Sequence, residues 1–256
     1  MTASLRCALG ALALSALAFL AQSAFAEETL KAYNTYRAVP YVAGNGGLAA
    51  DLVAYLNARL AGRYRLVLSV LPRERLNRTL AIDPDFKDVV LFVNPFFMND
   101  AERTRYYWTP PFMSDANEVI STTANRIEYK GPDSLKGLTF GGILGHRYAG
   151  LEDRFGKDIQ RENVNEEKSN LRKLAAGRID VTIIESTTYR YLRKQLDVEN
   201  NWGGDLYVSS RPHSRFDRFM FVSRNNAALG KELDAIIARM KTDPAWHAIL
   251  QKYGLD

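Results

Sequence analysis

The sequence predicts an α/β protein of two similar-sized lobes with mixed, mostly parallel sheets joined by a two-strand hinge. Three features lead to that reading. Strand-like alternation and helical periodicity take turns over residues 29 to 93. The run "DVVLFV" (88–93) is apolar without a break, as in a strand covered on both faces. After "EVISTTANR" (118–126) the same series begins again. A repeated βαβ order implies parallel strands with right-handed crossovers.

Taken in order, "TLKAYNTY" (29–36) reads as a strand. "LAADLVAYLNARLAG" (48–62) places Leu48, Leu52, Leu56 and Leu60 on one helical stripe and stops at Gly62. "YRLVLSVL" (64–71) alternates like a strand, and "RERLNRTLA" (73–81) is a short helix. In the second series "LTFGGIL" (138–144) is a strand, and "YAGLEDRFG" (148–156) is expected to be helical. "EEKSNLRKLAAG" (166–177) is a helix ended by Gly177, and "DVTII" (180–184) is a strand. "STTYRYLRKQL" (186–196) is a helix with Ser186 as N-cap. "DLYVSS" (205–210) and "RFMFVSR" (218–224) are further strands. "LGKELDAIIARMKT" (229–242) and "DPAWHAILQKYG" (243–254) are two closing helices. The last has Asp243 as N-cap, Pro244 at its first position and Gly254 as its stop. The lobes divide as 27–122 plus 220–256 and as 123–219.

The first 26 residues read differently. "MTASLR" carries a single positive charge, an apolar run follows, and "AFA" precedes "EE", the pattern of a cleavable signal peptide ending at Ala26. The apolar run is shorter than the roughly 18 residues of a membrane span. A periplasmic location follows. Cys7, the only cysteine, departs with the peptide, so thiol chemistry is excluded from the mature chain. The formal charge of +5 falls by one when Arg6 is removed, and the remaining bases are interspersed with acids. That distribution points away from nucleic acid. The three histidines lack H-x-x-x-H spacing, so no zinc site is expected. "GNGGLAA" (44–50) fits a dinucleotide pattern, but a hairpin turn explains it better.

Several segments together resemble the extracytoplasmic solute-binding proteins of amino-acid-type ABC transporters, which have the type 2 periplasmic binding fold. "VPYVAGNGGLAADLVAYLNARL" is similar to that family's P-P-F, hairpin and G-F-D-x-D-L stretch, with Pro40 and Tyr41 in the P-F places and Gly47, Asp51 and Leu52 matching. "DAERTRYYWTPPF" (100–112) resembles its T-P-E-R followed by F-S-x-P-Y. "SLKGLTFGGILGHRYAGLEDRF" resembles the opening of its second lobe, and "LRKLAAGRIDVTIIEST" its L-x-x-G-R-x-D-A-x-x-x-D. The resemblance implies a monomer that closes on a small polar ligand, an amino acid or organic acid, and serves a permease in the inner membrane. It implies no cofactor.

On that match Arg103 is the clamp for a ligand carboxylate, a task suited to a planar guanidinium. Its alternative is a surface pair with Glu102 or Asp100. Glu185 stands where the family's aspartate meets a ligand ammonium; it could equally stabilise the helix that starts at Ser186. Tyr36, Tyr41 and Trp108 are candidate apolar walls, or ordinary core residues. Gly145, His146 and Arg147 would present backbone amides at an anion-binding turn, with Arg147 hinting at an acidic or phosphorylated ligand. Asp100 replaces a ligand-binding threonine, which argues against an ordinary amino-acid ligand. Two other readings remain: a periplasmic lyase of the cyclohexadienyl dehydratase type, with Glu185 as general acid, and a ligand-sensing or assembly protein without a transport role.

Overall fold

The computed structural model describes residues 27–199 and 206–256. The expected signal peptide, residues 1–26, lies outside the described residues. The order begins with β1 (Glu28–Asn34), α1 (Leu48–Leu60), β2 (Tyr64–Val70), α2 (Arg73–Ile82) and β3 (Val89–Val93). A short strand β4 (Tyr106–Trp108) leads into the ten-residue β5 (Met113–Thr122). Then come β6 (Thr139–Ile143), β7 (Gln160–Val164), α3 (Glu167–Ala175), β8 (Val181–Glu185), α4 (Ser186–Glu199) and β9 (Leu206–Val208). The chain finishes with β10 (Ser214–Ser223), α5 (Ala227–Met240) and α6 (Pro244–Tyr253).

The strands form one mixed sheet in the order β2-β1-β3-β10-β5-β8-β6-β7, with β4 on β10 and β9 on β5. Pairs toward its two ends, β1 with β2 and β3, and β6 with β7 and β8, are parallel. Pairs that involve β5 or β10 are antiparallel. These two long strands therefore carry the chain between the two parallel ends.

The helical stripe of α1 is fully buried at Leu48, Leu52, Leu56 and Leu60 and packs with Leu233, Ile237 and Trp246. No side chain caps α1. The amides of Leu48 and Ala49 instead donate to the carbonyls of Pro40 (2.7 Å) and Tyr41 (3.2 Å). That approach requires glycine at 47: φ is 123°, and a Cβ would lie 2.5 Å from the Tyr41 carbonyl oxygen. The preceding "GNGG" is a tight hairpin, with Ala43 and Gly46 exchanging two backbone bonds of 3.0 Å. At the C-terminus Asp243 accepts from the Ala245 amide at 2.9 Å, and Gly254 ends α6 at φ 72°.

One expectation differs from what forms, and one strand forms that no alternation marks. Residues 148–156 make turns, not a helix, because Gly150 and Gly156 both sit at φ 77°, which no continuing helix allows. Tyr148 and Leu151 are buried there regardless. The strand β7, "QRENV", has no apolar alternation because it is an edge strand, bonded along one side only.

Bending is concentrated beside the site. Opposite β10 the ladder slips by one residue, pairing Phe219 with Val93 but Phe221 with Val90. The extra residue is a bulge in β3, and Phe92 within it has φ 58°. A phenylalanine in the left-handed region costs about 1–3 kcal/mol, which the surrounding contacts must offset.

Candidate functional site

A cavity of about 790 Å³ opens at the carboxyl ends of β1, β3, β6 and β8. This is where open α/β sheets place ligands, and the volume suits a small molecule. Tyr36 follows β1, Asn94 to Phe97 follow β3, His146 and Arg147 follow β6, and Glu185 ends β8. The start of β10 supplies a further wall with Phe216 and Phe219.

Beneath this cavity lies a buried ionic knot. The Arg218 side chain on β10 is 0% exposed. Its Nε and Nη2 donate to Asp115 Oδ2 on β5 at 2.8 and 2.6 Å. Nη2 also donates to Glu185 Oε2 on β8 at 2.8 Å, and Nη1 to the Phe92 carbonyl at 3.0 Å. The bulge in β3 is what turns that carbonyl to the guanidinium. The rings of Tyr36, Tyr41 and Phe216 surround the cation, their centroids 4.4, 5.0 and 5.0 Å from Cζ.

The two carboxylates sharing this cation are not equivalent. Burial would raise Asp115, but Arg218 and bonds from Ser186 Oγ (2.6 Å) and the Thr187 amide (3.1 Å) hold its pKa below the usual value. Those last bonds also anchor the first turn of α4. Glu185 moves the other way. Burial raises its pKa, Arg218 offsets this only in part, and the Asp115 charge adds to the rise. Its side chain keeps 24% of its surface open to the cavity. Burial would lower the Arg218 pKa, but Glu185, the neighbouring tyrosines and Asp115 hold it raised, so the guanidinium stays charged.

Of the residues singled out from sequence, Tyr36, Arg103, His146, Arg147 and Glu185 line the cavity. Arg103 is exposed and sits at φ 54°, its amide donating to the Asp100 carbonyl at 2.8 Å and its own carbonyl accepting from Arg224 Nη2 at 2.8 Å. Its guanidinium lies 4.8 Å from the Phe219 ring centroid. Neither Glu102 nor Asp100 pairs with it, and among the described residues no carboxylate does. His146 packs at a tilt against Tyr148, ring centroids 4.7 Å apart, and its pKa is lowered by lost hydration and then by Arg161. Arg161 also fastens this turn by donating to the carbonyls of Ile143 (3.1 Å) and His146 (2.7 Å).

Four expected site residues lie elsewhere. Asp100 is 3% exposed, and its carboxylate accepts from the amides of Thr104 (2.9 Å), Arg105 (3.0 Å) and Tyr106 (3.3 Å) and from Trp108 Nε1 (2.7 Å). It is the organiser of the loop that presents Arg103. Burial would raise its pKa, and these bonds, led by that from Trp108, bring it below the usual range. Trp108 is committed to that bond and packs on Phe221 at 5.0 Å. Tyr41 is fully buried, its hydroxyl donating to Asp115 Oδ2 at 3.2 Å, so it supports Arg218 and makes no wall. Gly145 provides a turn at φ 77° and is not among the lining residues.

Arg218 and Asp115 were the residues missed. A signal for them exists. "RFDRFMFV" (215–222) and "MSDANEVI" (113–120) both carry charges inside strand-forming stretches, and Arg218 directly adjoins the apolar run "FMFV". Among the described residues, no group of three His, Cys, Asp or Glu side chains is arranged to hold a metal ion, and no helix is long and apolar enough to cross a membrane.

No protein-family model matches the sequence, and no curated protein matches it. Solved structures do. A mutant of ArgBP from T. maritima superposes with a TM-score of 0.59 at 16% identity, over 88% of this chain and 94% of its own. The chain has the type 2 periplasmic binding fold. The same fold aligns with an ancestral cationic amino acid solute binding protein, AncCDT-1, at a TM-score of 0.64, 14% identity, and 88% and 95% coverage. The B. pertussis BvgS periplasmic domain gives 0.64 at 18% identity, over 89% of this chain and 42% of that one.

Proposed function

We propose that this chain is a periplasmic solute-binding protein that closes on a small carboxylate and delivers it to an ABC transporter permease. Residues 27–122 with 220–256 would form one lobe and 123–219 the other, with β5 and β10 as the hinge strands. The observation that carries the reading is Arg103, a cavity-lining guanidinium with no acid partner among the described residues, held in a left-handed conformation by a dedicated loop. Arg126 is also exposed at positive φ (42°), but only Arg103 of the two combines that strained backbone with a place in the cavity lining, which suggests a positioned ligand contact. Closure of two lobes would then turn occupancy into a surface that a permease recognises. Solved proteins of this fold include amino-acid-binding proteins, among them the substrate binding protein of an amino acid ABC transporter.

Thermal-shift screening against amino acids and organic acids tests the proposal. A ligand at 100 times its Kd should add about 2.7 kcal/mol. A panel in which no carboxylate or amine raises the Tm refutes it.

Glu185 favours one second reading. A glutamate with a raised pKa, partly open to a cavity, is suited to act as a general acid. AncCDT-1 is described as a precursor of cyclohexadienyl dehydratase. Adding prephenate and arogenate to the same panel, with product followed by absorbance, separates the two readings, since only the enzyme consumes them. The segment "NPFF" does not fill the cavity; it lines it, with Phe96 73% exposed.

A further inference from the structure

Resting on the solute-binding reading, we propose that the cavity selects an organic acid without an ammonium group, carrying two negative charges and a flat apolar body. The proposal comes from a census of charges around the space. Four guanidinium groups line it: Arg73, Arg103, Arg147 and Arg215. None is in an ion pair with a carboxylate among the described residues. Arg73 spends Nη1 on the Phe97 carbonyl at 3.4 Å and on Met98 Sδ. Two histidines in the lining, His146 and His213, both have lowered pKa values through lost hydration and add no charge near neutral pH.

An α-amino acid needs an acceptor for its ammonium as well as donors for its carboxylate. The lining offers two acids, Glu185 and Asp217. Glu185 is already bonded to Arg218 at 2.8 Å, and that guanidinium stands where an ammonium would have to compete. Asp217 accepts from Ser114 Oγ at 2.7 Å and belongs to the same strand as Arg215. Counted with the knot in which Arg218 serves both Asp115 and Glu185, five guanidinium groups stand against three carboxylates, an excess of two positive charges. The space therefore repels a second cation and favours a ligand that brings more than one negative charge.

The body of the ligand is indicated by the remaining walls. Phe96 and Phe97 stay 73% and 45% exposed in a protein whose large apolar side chains are mostly buried. Phe97 meets Phe216 edge-on at 5.3 Å, and Phe219 carries Arg103 over its face at 4.8 Å. Rings alternating with guanidinium planes accept flat, apolar groups bearing carboxylates.

Titration calorimetry on the full chain with matched compounds decides the matter: L-phenylalanine, 3-phenylpropanoate, phenylsuccinate, L-glutamate and glutarate. Phenylsuccinate is expected to bind tightest. Each deaminated acid should bind at least about 10-fold more tightly than its amino acid. Arg147→Gln, at an exposed position, should weaken phenylsuccinate more than 3-phenylpropanoate. An amino acid binding as well as its deaminated partner overturns the inference. So does an Arg147→Gln variant that weakens both acids equally. If an amino acid elsewhere in the screening panel binds and none of the acids does, this inference falls while the solute-binding reading stands. If nothing in either set binds, both fall.

Discussion

Arg218→Met is expected to lower the unfolding free energy by about 3–5 kcal/mol. Total stability is of order 5–15 kcal/mol for a domain, so much of it would go. The reason is the position of the partners. Asp115 is fully buried beside Arg218, and removing the guanidinium leaves a carboxylate whose remaining bonds come from neutral donors. The Phe92 carbonyl, turned inward by a strained bulge, loses its donor as well. Chemical denaturation of parent and variant measures the effect. The companion variant Asp115→Asn with Arg218→Met and Glu185→Gln should recover part of the loss, because it removes the unpaired charges together with the cation. A single-variant loss below about 1 kcal/mol would sink the account, since that is the scale of ordinary exposed ion pairs. The two acids also predict opposite responses to pH. The lowered pKa of Asp115 contributes stability that is lost as pH falls through its folded value. The raised pKa of Glu185 makes stability fall as pH rises from the usual glutamate range through its folded value.

Arg103→Ala is expected to weaken the carboxylate ligand found in the screen by about 10- to 100-fold. Charge-assisted hydrogen bonds contribute about 1.5–3 kcal/mol. Arg103→Lys should not restore binding, because a point charge cannot match two carboxylate oxygens in a plane. Stability should change little, since the exposed side chain's one aromatic contact is worth about 1 kcal/mol or less. Calorimetric titration of both variants provides the check. Unchanged affinity in Arg103→Ala would place the carboxylate elsewhere in the cavity.

Much of this architecture could be read from the residues alone, and the reasons are local. The Leu48–Leu60 stripe, the unbroken apolar β3 and the Asp243, Pro244 and Gly254 punctuation are periodic or capping signals that act within a few residues. The placements of Tyr36, Arg103, His146, Arg147 and Glu185 around one cavity followed from strand ends and from a family resemblance. Asp100 was misjudged because its partners, Thr104 to Trp108, satisfy it within its own loop, and a sequence pattern does not distinguish that from a ligand contact. Arg218 escaped because its meaning depends on Asp115 and Glu185, 103 and 33 residues away. Position 148–156 misled because its apolar spacing is helical, while two glycines bend it into turns.

The place of β10 has a consequence for the order in which the protein can be completed. It is the last of the described strands in chain order, yet it lies fourth of eight along the sheet, between β3 and β5. Until Ser214–Ser223 has left the ribosome, β1, β2 and β3 can assemble only as a fragment with an open edge. That edge is "VVLFV", all of it buried in the finished molecule. Nascent chains of this protein therefore carry an adhesive strand for most of their synthesis. The same late strand brings Arg218 to the acids already waiting for it, so sealing the edge and neutralising the core charge happen as one event.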